Sequence, residues 1–256
     1  MKRHLVQVNF DRSASGYAAK YEHPTDFYAS EKRRRMQLLV ELAESIRPTA
    51  VLDAGCGPGV VLDELRRRLP EGRLLGTDLS RSMLRQARLA DSGELPLVQS
   101  DVEHPPFADD SFDLIYALGV VDYTEDPRRF FQSAWRMLQP GGTLAFTYPN
   151  ADCLIRMFRV SLRRYRGRVY GKESTALASP LSATTVDRLM TELGFRWVQR
   201  RFITYANGPT RLPGSLTFGR SMERWCGQRS LGRYLAWSCF CVVRKPNPIH
   251  GATDDL

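Results

Sequence analysis

The chain has little of what would mark it as disulfide-built, metal-bound or membrane-spanning. It holds 256 residues and only five cysteines, Cys56, Cys153, Cys226, Cys239 and Cys241. Their spacings match neither a zinc site nor a disulfide framework, so no metal is expected. Cys239 and Cys241 alternate, so on a strand they face one side and read as core. No run approaches the ~18 apolar residues of a membrane-crossing helix. The best apolar run, Tyr234 to Val243, has the length of a strand. Met1 to Asp11 lacks the apolar stretch of a signal peptide. There are no internal repeats and no low-complexity segment. A reducing cytoplasm is the expected setting, free or peripheral to a membrane. Two phosphate-binding patterns are missing as well. No lysine follows the glycines around position 57, which excludes GxxxxGK[ST]; the third glycine comes one residue early for GxGxxG, and Pro58 intervenes. A nucleoside triphosphate and a nicotinamide cofactor both lose ground.

What is present is a strand-turn-helix pattern repeated with acids at the turns. Val51 and Leu52 lead into Asp53, and Gly55, Gly57 and Gly59 follow at alternate positions. This reads as a buried parallel strand turning sharply into a helix. The glycines let a ligand touch backbone and tolerate the angles of the turn. Pro58 suits a first helical turn. Asp53, at the strand end, is placed to accept hydrogen bonds from a bound polar group. A second apolar run, Gly72 to Ser80, carries Asp78, which lies 23 residues after Gly55. That is about the offset at which an acid at the second strand end binds ribose hydroxyls. Ser80 is a fitting N-cap for the helix containing Met83, Leu84 and Ala87. A third run, from Leu95, ends in Asp101; a fourth, from Ser111, ends in the small residues around Ala117 and Gly119. The carboxyl ends of four strands thus gather in one place, where open α/β sheets bind ligands.

These residues resemble a class I S-adenosylmethionine-dependent methyltransferase of the small-molecule type. The likeness runs from Val51 to about Asn150. It rests on VLDAGCGPG, GTDLS, SDVEHPPFADDSFDLIYA and the turn from Met137 to Leu144, which is similar to the family's LKPGG. The resemblance implies an α/β, Rossmann-like, doubly wound sheet of seven strands with an antiparallel last strand. It also implies S-adenosylmethionine as cofactor. Asp53 and the backbone at Gly55, Cys56, Gly57 and Gly59 would hold its methionine part. Asp78 would take the ribose, beside Leu79 and Met83. Asp101 with Val102 would meet the adenine, and Ala117 with Leu118 would line the sulfonium end. The physics agrees. The cofactor has no phosphate, its sulfonium is favoured by nearby acids, and a carboxylate accepts both hydroxyls of a diol without competing as a donor.

Charge separates the two parts of the chain. Residues 1–150 hold 19 basic and 21 acidic side chains; residues 151–256 hold 18 and 7, a net +11. The densest patch contains Arg156, Arg159, Arg163, Arg164, Arg166, Arg168 and Lys172, with apolar residues between. Besides a solvated face, it fits an anionic substrate, an anionic membrane surface or RNA. Arginine dominates there, which suits bidentate contact with carboxylate or phosphate. The expected organisation is an N-terminal cap and helix over 1–47, a cofactor core over 48–150, two basic lid insertions and the rest of the sheet over 151–245, and a tail over 246–256. All of it forms one structural domain.

The acceptor is less legible. Methyl transfer needs a positioned nucleophile and exclusion of water; a base depends on the nucleophile. The segment from Gly119 to Asp126 lacks both [DN]PP[YF] and the Pro-Cys pair of cytosine enzymes. Tyr123 is a candidate to orient substrate, or else a packing aromatic. Asp122 is expected to cap the next helix. His23 and His104 are the nearest base candidates, with His104, beside Pro105 and Pro106, read as structural. The expectation is methyl transfer to oxygen or nitrogen of a small molecule that carries a negative group or a lipid. An RNA-modifying enzyme and a non-catalytic S-adenosylmethionine-binding protein are the alternatives. The oligomeric state stays open.

Overall fold

The computed structural model describes residues 2–21, 27–90, 95–154, 156–158, 177–205, 215–229 and 231–248. His23 and the arginines and lysine from Arg159 to Lys172 lie outside them. Seven strands form one sheet: β1 (Ala50–Ala54), β2 (Arg73–Asp78), β3 (Leu97–Gln99), β4 (Phe112–Ala117), β5 (Leu138–Pro149), β6 (Arg196–Ile203) and β7 (Ser238–Arg244). Their order is β3-β2-β1-β4-β5-β7-β6. The first five are parallel, and β7 runs antiparallel between β5 and β6.

Helices cover both faces. They are α1 (Lys2–Ser13), α2 (Phe27–Ile46), α3 (Val60–Arg68), α4 (Arg81–Ala90), α5 (Pro127–Met137), α6 (Ala183–Leu193), α7 (Ser215–Cys226) and the single turn α8 (Gly232–Leu235). A sheet covered on both sides needs strands that are apolar throughout, and all five residues of β1 are buried. Alternate side chains go to opposite layers. Leu52, Ile115, Leu144 and Phe146 pack with Phe130 and Phe131 of α5 and Val186 of α6. Val51, Leu114 and Ala145 pack with Leu39 of α2 and with Leu62 and Leu65 of α3.

The local signals mostly fall where the sequence puts them. Ser80 caps α4 through Met83 N–H at 3.1 Å. Gly194 ends α6 at φ 83°, the left-handed geometry usual after a helix. Cys239 and Cys241 are buried in β7 with their sulfurs 3.6 Å apart. Three details differ. The N-cap of α3 is Gly59 in the left-handed region (φ 80°), so Pro58 precedes the helix rather than opening it. Asp126, not Asp122, caps α5, accepting from Arg128 N–H at 2.9 Å. Residues 232–235 form α8, so the last strand begins only at Ser238.

Gly55 sets the shape of the first turn. Its φ is 88°, and a Cβ there would fall inside the van der Waals shell of Val120 Cγ2. Gly55→Ala should therefore cost about 2–4 kcal/mol from backbone strain and overpacking together. Adding Val120→Ala should recover the steric part and leave the backbone part. Chemical denaturation of the single and double variants checks this; equal losses in both would show that Val120 is not the obstacle.

Candidate functional site

The carboxyl ends of β1, β2 and β4 open into a crevice of about 840 Å³, counting its mouth. Gly55, Cys56, Gly57, Asp78, Leu79, Met83, Asp101, Val102, Leu118 and Tyr123 all line it. Ten of the residues picked from the sequence thus converge on one cavity. Three others stand behind its wall: Asp53, Gly59 and Ala117. A Cβ on Gly59 would press on Ala87 of α4 at 3.2 Å, so that glycine serves helix packing.

Asp78 organises the turn. One carboxylate oxygen accepts from Gly57 N–H at 2.8 Å, the other from Ser80 N–H at 2.8 Å. Each oxygen keeps a lone pair for a diol. Burial pushes its pKa up to about 6, against the pull of those two N–H groups. Asp53 is buried and accepts from Tyr116 Oη at 2.8 Å. Burial pushes its pKa up to about 8; the Tyr116 bond opposes this and Asp78 adds to it. At neutral pH Asp53 is therefore mainly a neutral carboxyl group behind the loop.

The N-terminal cap contributes residues that the sequence did not reveal. Helix α1 lies across the crevice mouth. Arg3 pairs with Asp101 at 2.9 Å. Lys2 Nζ donates to the Thr124 carbonyl at 2.7 Å and to Ser179 Oγ at 3.1 Å. Asp11 accepts from Ser80 Oγ at 2.6 Å and Ser82 N–H at 3.0 Å. Phe10 packs edge-on against Tyr123, centroids 5.1 Å apart. Buried Glu103 accepts from Glu125 and Asp126 N–H and so fixes the start of α5. His104 is more than half exposed, 3.7 Å from Asp101, at the outer rim.

At the β4 end the surroundings change from acidic to mixed. Tyr17, Tyr21, Gly119 and Tyr123 line the cavity here. Lys32 Nζ donates to Tyr17 Oη at 2.8 Å and sits over the rings of Tyr17 and Tyr21 at 4.3 and 5.1 Å. Burial works against its charge, but the two tyrosine oxygens outweigh that and hold its pKa above the ordinary lysine value. Arg35 bonds Glu31 at 2.5 Å and Ser238 Oγ at 3.0 Å. Its Nη1 would be 2.9 Å from a Cβ on Gly119, whose φ is 74°. Asp122 is buried, and burial pushes its pKa up to about 6 despite Arg35 and Arg156. Its Oδ1 and Arg35 Nε make no hydrogen bond among the described residues. Burial also raises the Tyr123 phenol well above its ordinary value, so this side chain stays a donor and is a poor base.

The fold and crevice define an α/β protein with a glycine turn at the carboxyl edge of its sheet and an acid, Asp78, at the end of the second strand. The family described as Methyltransferase domain matches residues 52–146. A malonyl-[acyl-carrier protein] O-methyltransferase of Pseudescherichia vulneris is 35% identical over 180 residues, 69% of this chain and 67% of that protein. Its namesake in Legionella pneumophila is 33% identical over 149 residues, 57% of this chain and 52% of the relative. The chain thus spans about half the length of the Legionella relative. An S-adenosylmethionine-dependent methyltransferase of Thermotoga maritima superposes with a TM-score of 0.63 at 15% identity, over 94% of this chain and 99% of that one. This chain belongs to the class I S-adenosylmethionine-dependent methyltransferases, whose cofactor is S-adenosylmethionine.

The crevice fits that cofactor. A Cβ on Gly57 would meet nothing within 4 Å, and Gly57 lines the cavity, so the loop leaves a cradle that only a ligand fills. Gly57→Ala should lower affinity for S-adenosylmethionine by roughly tenfold or more, with a stability loss of only about 1 kcal/mol from its φ of 54°. Calorimetric titration checks the first value and thermal melting the second. Asp53 makes a separate prediction. Its carboxyl titrates near 3.8 when unfolded and about 8 when folded. The folded state then holds the proton more tightly, so stability is full below the lower value and is lost as pH rises through the upper one. Asp53→Asn mimics the neutral form. The wild-type melting temperature should decline relative to the variant between these two pH values; parallel curves would contradict it.

Proposed function

We propose that this chain transfers the methyl group of S-adenosylmethionine to a carboxylate oxygen of a small acyl-type molecule. The observation that carries this reading is the pair of half-buried cations just behind the crevice wall at the β4 end. Lys32 has tyrosine oxygens and rings as its partners, and Arg35, paired with Glu31, stands beside Gly119. A negatively charged acceptor is favoured there and a cationic amine is not.

The same chemistry explains what the lining does without. A carboxylate carries no proton to be removed, so its methylation needs no general base. Among the described residues that line the crevice there is no histidine, and Tyr123 stays protonated. Tyr123 orients the acceptor as a hydrogen-bond donor, and α1 excludes water. When bound, S-adenosylmethionine supplies an activated methyl group, so catalysis reduces to alignment. Asp78 and the Gly55–Gly57 backbone hold its methionine and ribose parts, with Asp53 behind the loop; Asp101, Val102, Leu79 and Met83 hold the adenine side. The curated relatives add weight, since a malonyl thioester presents a free carboxylate. The acceptor is then a short acyl acid, free or carried as a thioester.

The test uses methyl-labelled cofactor with malonyl-acyl carrier protein, malonate, a long-chain fatty acid and mixed tRNA as acceptors. A base-labile methyl ester on one of the acids is the expected product. Label on an amine or on RNA, or none on any acid, would overturn the reading. Lys32→Met should raise KM for the acid roughly tenfold to a hundredfold, the loss of one charge-assisted contact, with the cofactor Kd little changed.

A further inference from the structure

The described surface exposes a cluster of large apolar side chains beside the crevice. Eight of the eleven exposed large hydrophobics lie from Leu154 to Tyr234, in the basic part of the chain, and six of these, all but Trp197 and Val198 of β6, lie after β5 or on and around α7 and α8. Phe158 is 68% exposed, Trp225 57% and Met157 54%. Isolated exposed apolar residues need no explanation, but grouped ones mark a contact surface.

These side chains belong to segments that touch one another. The chain after β5 is tied to α8 by Arg233 on Asp152 at 2.7 Å and by the Cys153 thiol near the Leu235 carbonyl. Arg156 lies over the Trp237 ring at 5.4 Å. The end of α7 joins α8 through Gly232, whose Cα closely approaches the Cys226 carbonyl. β5 ends, and antiparallel β7 begins, at the carboxyl edge of the sheet. The patch and the crevice therefore share that edge. Ser238, at the start of β7, links the two through Arg35.

The charge around the patch has one sign. Residues 151–256 carry a net +11. Arg220, Arg224 and Arg229 are exposed on and just after α7, while its inward Glu223 is neutralised by Arg34 of α2 at 2.5 Å. Arg229 lies over Trp225 at 5.3 Å, and Arg233 over Tyr234 at 5.9 Å. Exposed aromatic and aliphatic groups among arginines have the chemistry of a membrane interface. The apolar parts enter the acyl boundary and the guanidinium groups stay with anionic headgroups. No helix among the described residues is long and apolar enough to cross a bilayer, so the contact is a face laid on the surface.

We propose that this edge docks reversibly on an anionic lipid surface. Met157, Phe158 and Trp225 enter the interface, and the α7 arginines read the headgroup charge. Docking turns the crevice edge toward the bilayer, where an acyl acid partitions. The docking itself does not depend on which acceptor is methylated.

Flotation of the full chain with phosphatidylcholine vesicles, and with vesicles that also contain phosphatidylglycerol, tests this. Binding should require phosphatidylglycerol and fall steeply with added salt. The double variant Met157→Ser and Phe158→Ser should bind roughly tenfold more weakly. Arg220→Glu with Arg224→Glu should abolish the preference for anionic vesicles. Unchanged S-adenosylmethionine affinity in each variant shows that the fold is intact. Failure to float with either vesicle, or equal flotation with both, would overturn the proposal. So would retention in solution while acyl carrier protein shifts the chain on gel filtration, which assigns the face to an acidic protein. Flotation needs no turnover, so failure here leaves the methyl-transfer reading standing.

Discussion

The Asp78 carboxylate, held between two backbone N–H groups, is the joint on which the site is built. Gly57 donates from the β1 loop and Ser80 from the start of α4. One side chain thus fixes two loops against each other at the carboxyl edge. Burial raises its pKa, because a carboxylate that gives up part of its hydration favours the protonated form. Under the proposed function, a ribose diol would add hydrogen bonds at the same two oxygens. The same Ser80 reaches Asp11 of the cap, so the joint also sets where α1 rests.

From that joint the crevice divides by charge. Asp78, Asp101 and Glu103 occupy the side nearest β2 and β3. Behind the side nearest β4, Lys32 sits on Tyr17 and Tyr21, and Arg35 pairs with Glu31 beside Gly119. A cationic methyl donor and an anionic acceptor would each find the complementary field. The cap completes both halves, with Arg3 on the acidic side and Tyr17 and Tyr21 on the basic one.

The core could be read from the sequence because its signals are local. An apolar run, an acid and glycines at fixed offsets specify a strand, a turn and a helix whatever lies elsewhere. The cap could not. Helix α1 buries only Val6, so no apolar stripe announces it, and its role lies in single polar contacts to residues far along the chain. Asp122 was opaque for the same reason. An acid before a helix reads as a cap, and only the fold brings Arg35 beside it and leaves it buried. Pro58 illustrates a smaller limit. Gly59 takes the left-handed cap position, an arrangement that a proline-glycine pair does not disclose by itself. Asp53 was visible as an acid at a strand end, but its bond to Tyr116 joins two strands and appears only once they pair.

The placement of β7 has a consequence for how the chain is made. β5 lies between β4 and β7, and Leu144 pairs with Val243 while Phe146 pairs with Cys241. Until the ribosome has released the segment from Ser238 to Arg244, one edge of β5 lacks its partner. That edge is long and apolar, the kind that recruits other strands. β6 cannot shield it, because it bonds only to β7. Nascent chains that stall before Ser238 therefore present an adhesive strand, and their solubility rests on how quickly β7 arrives.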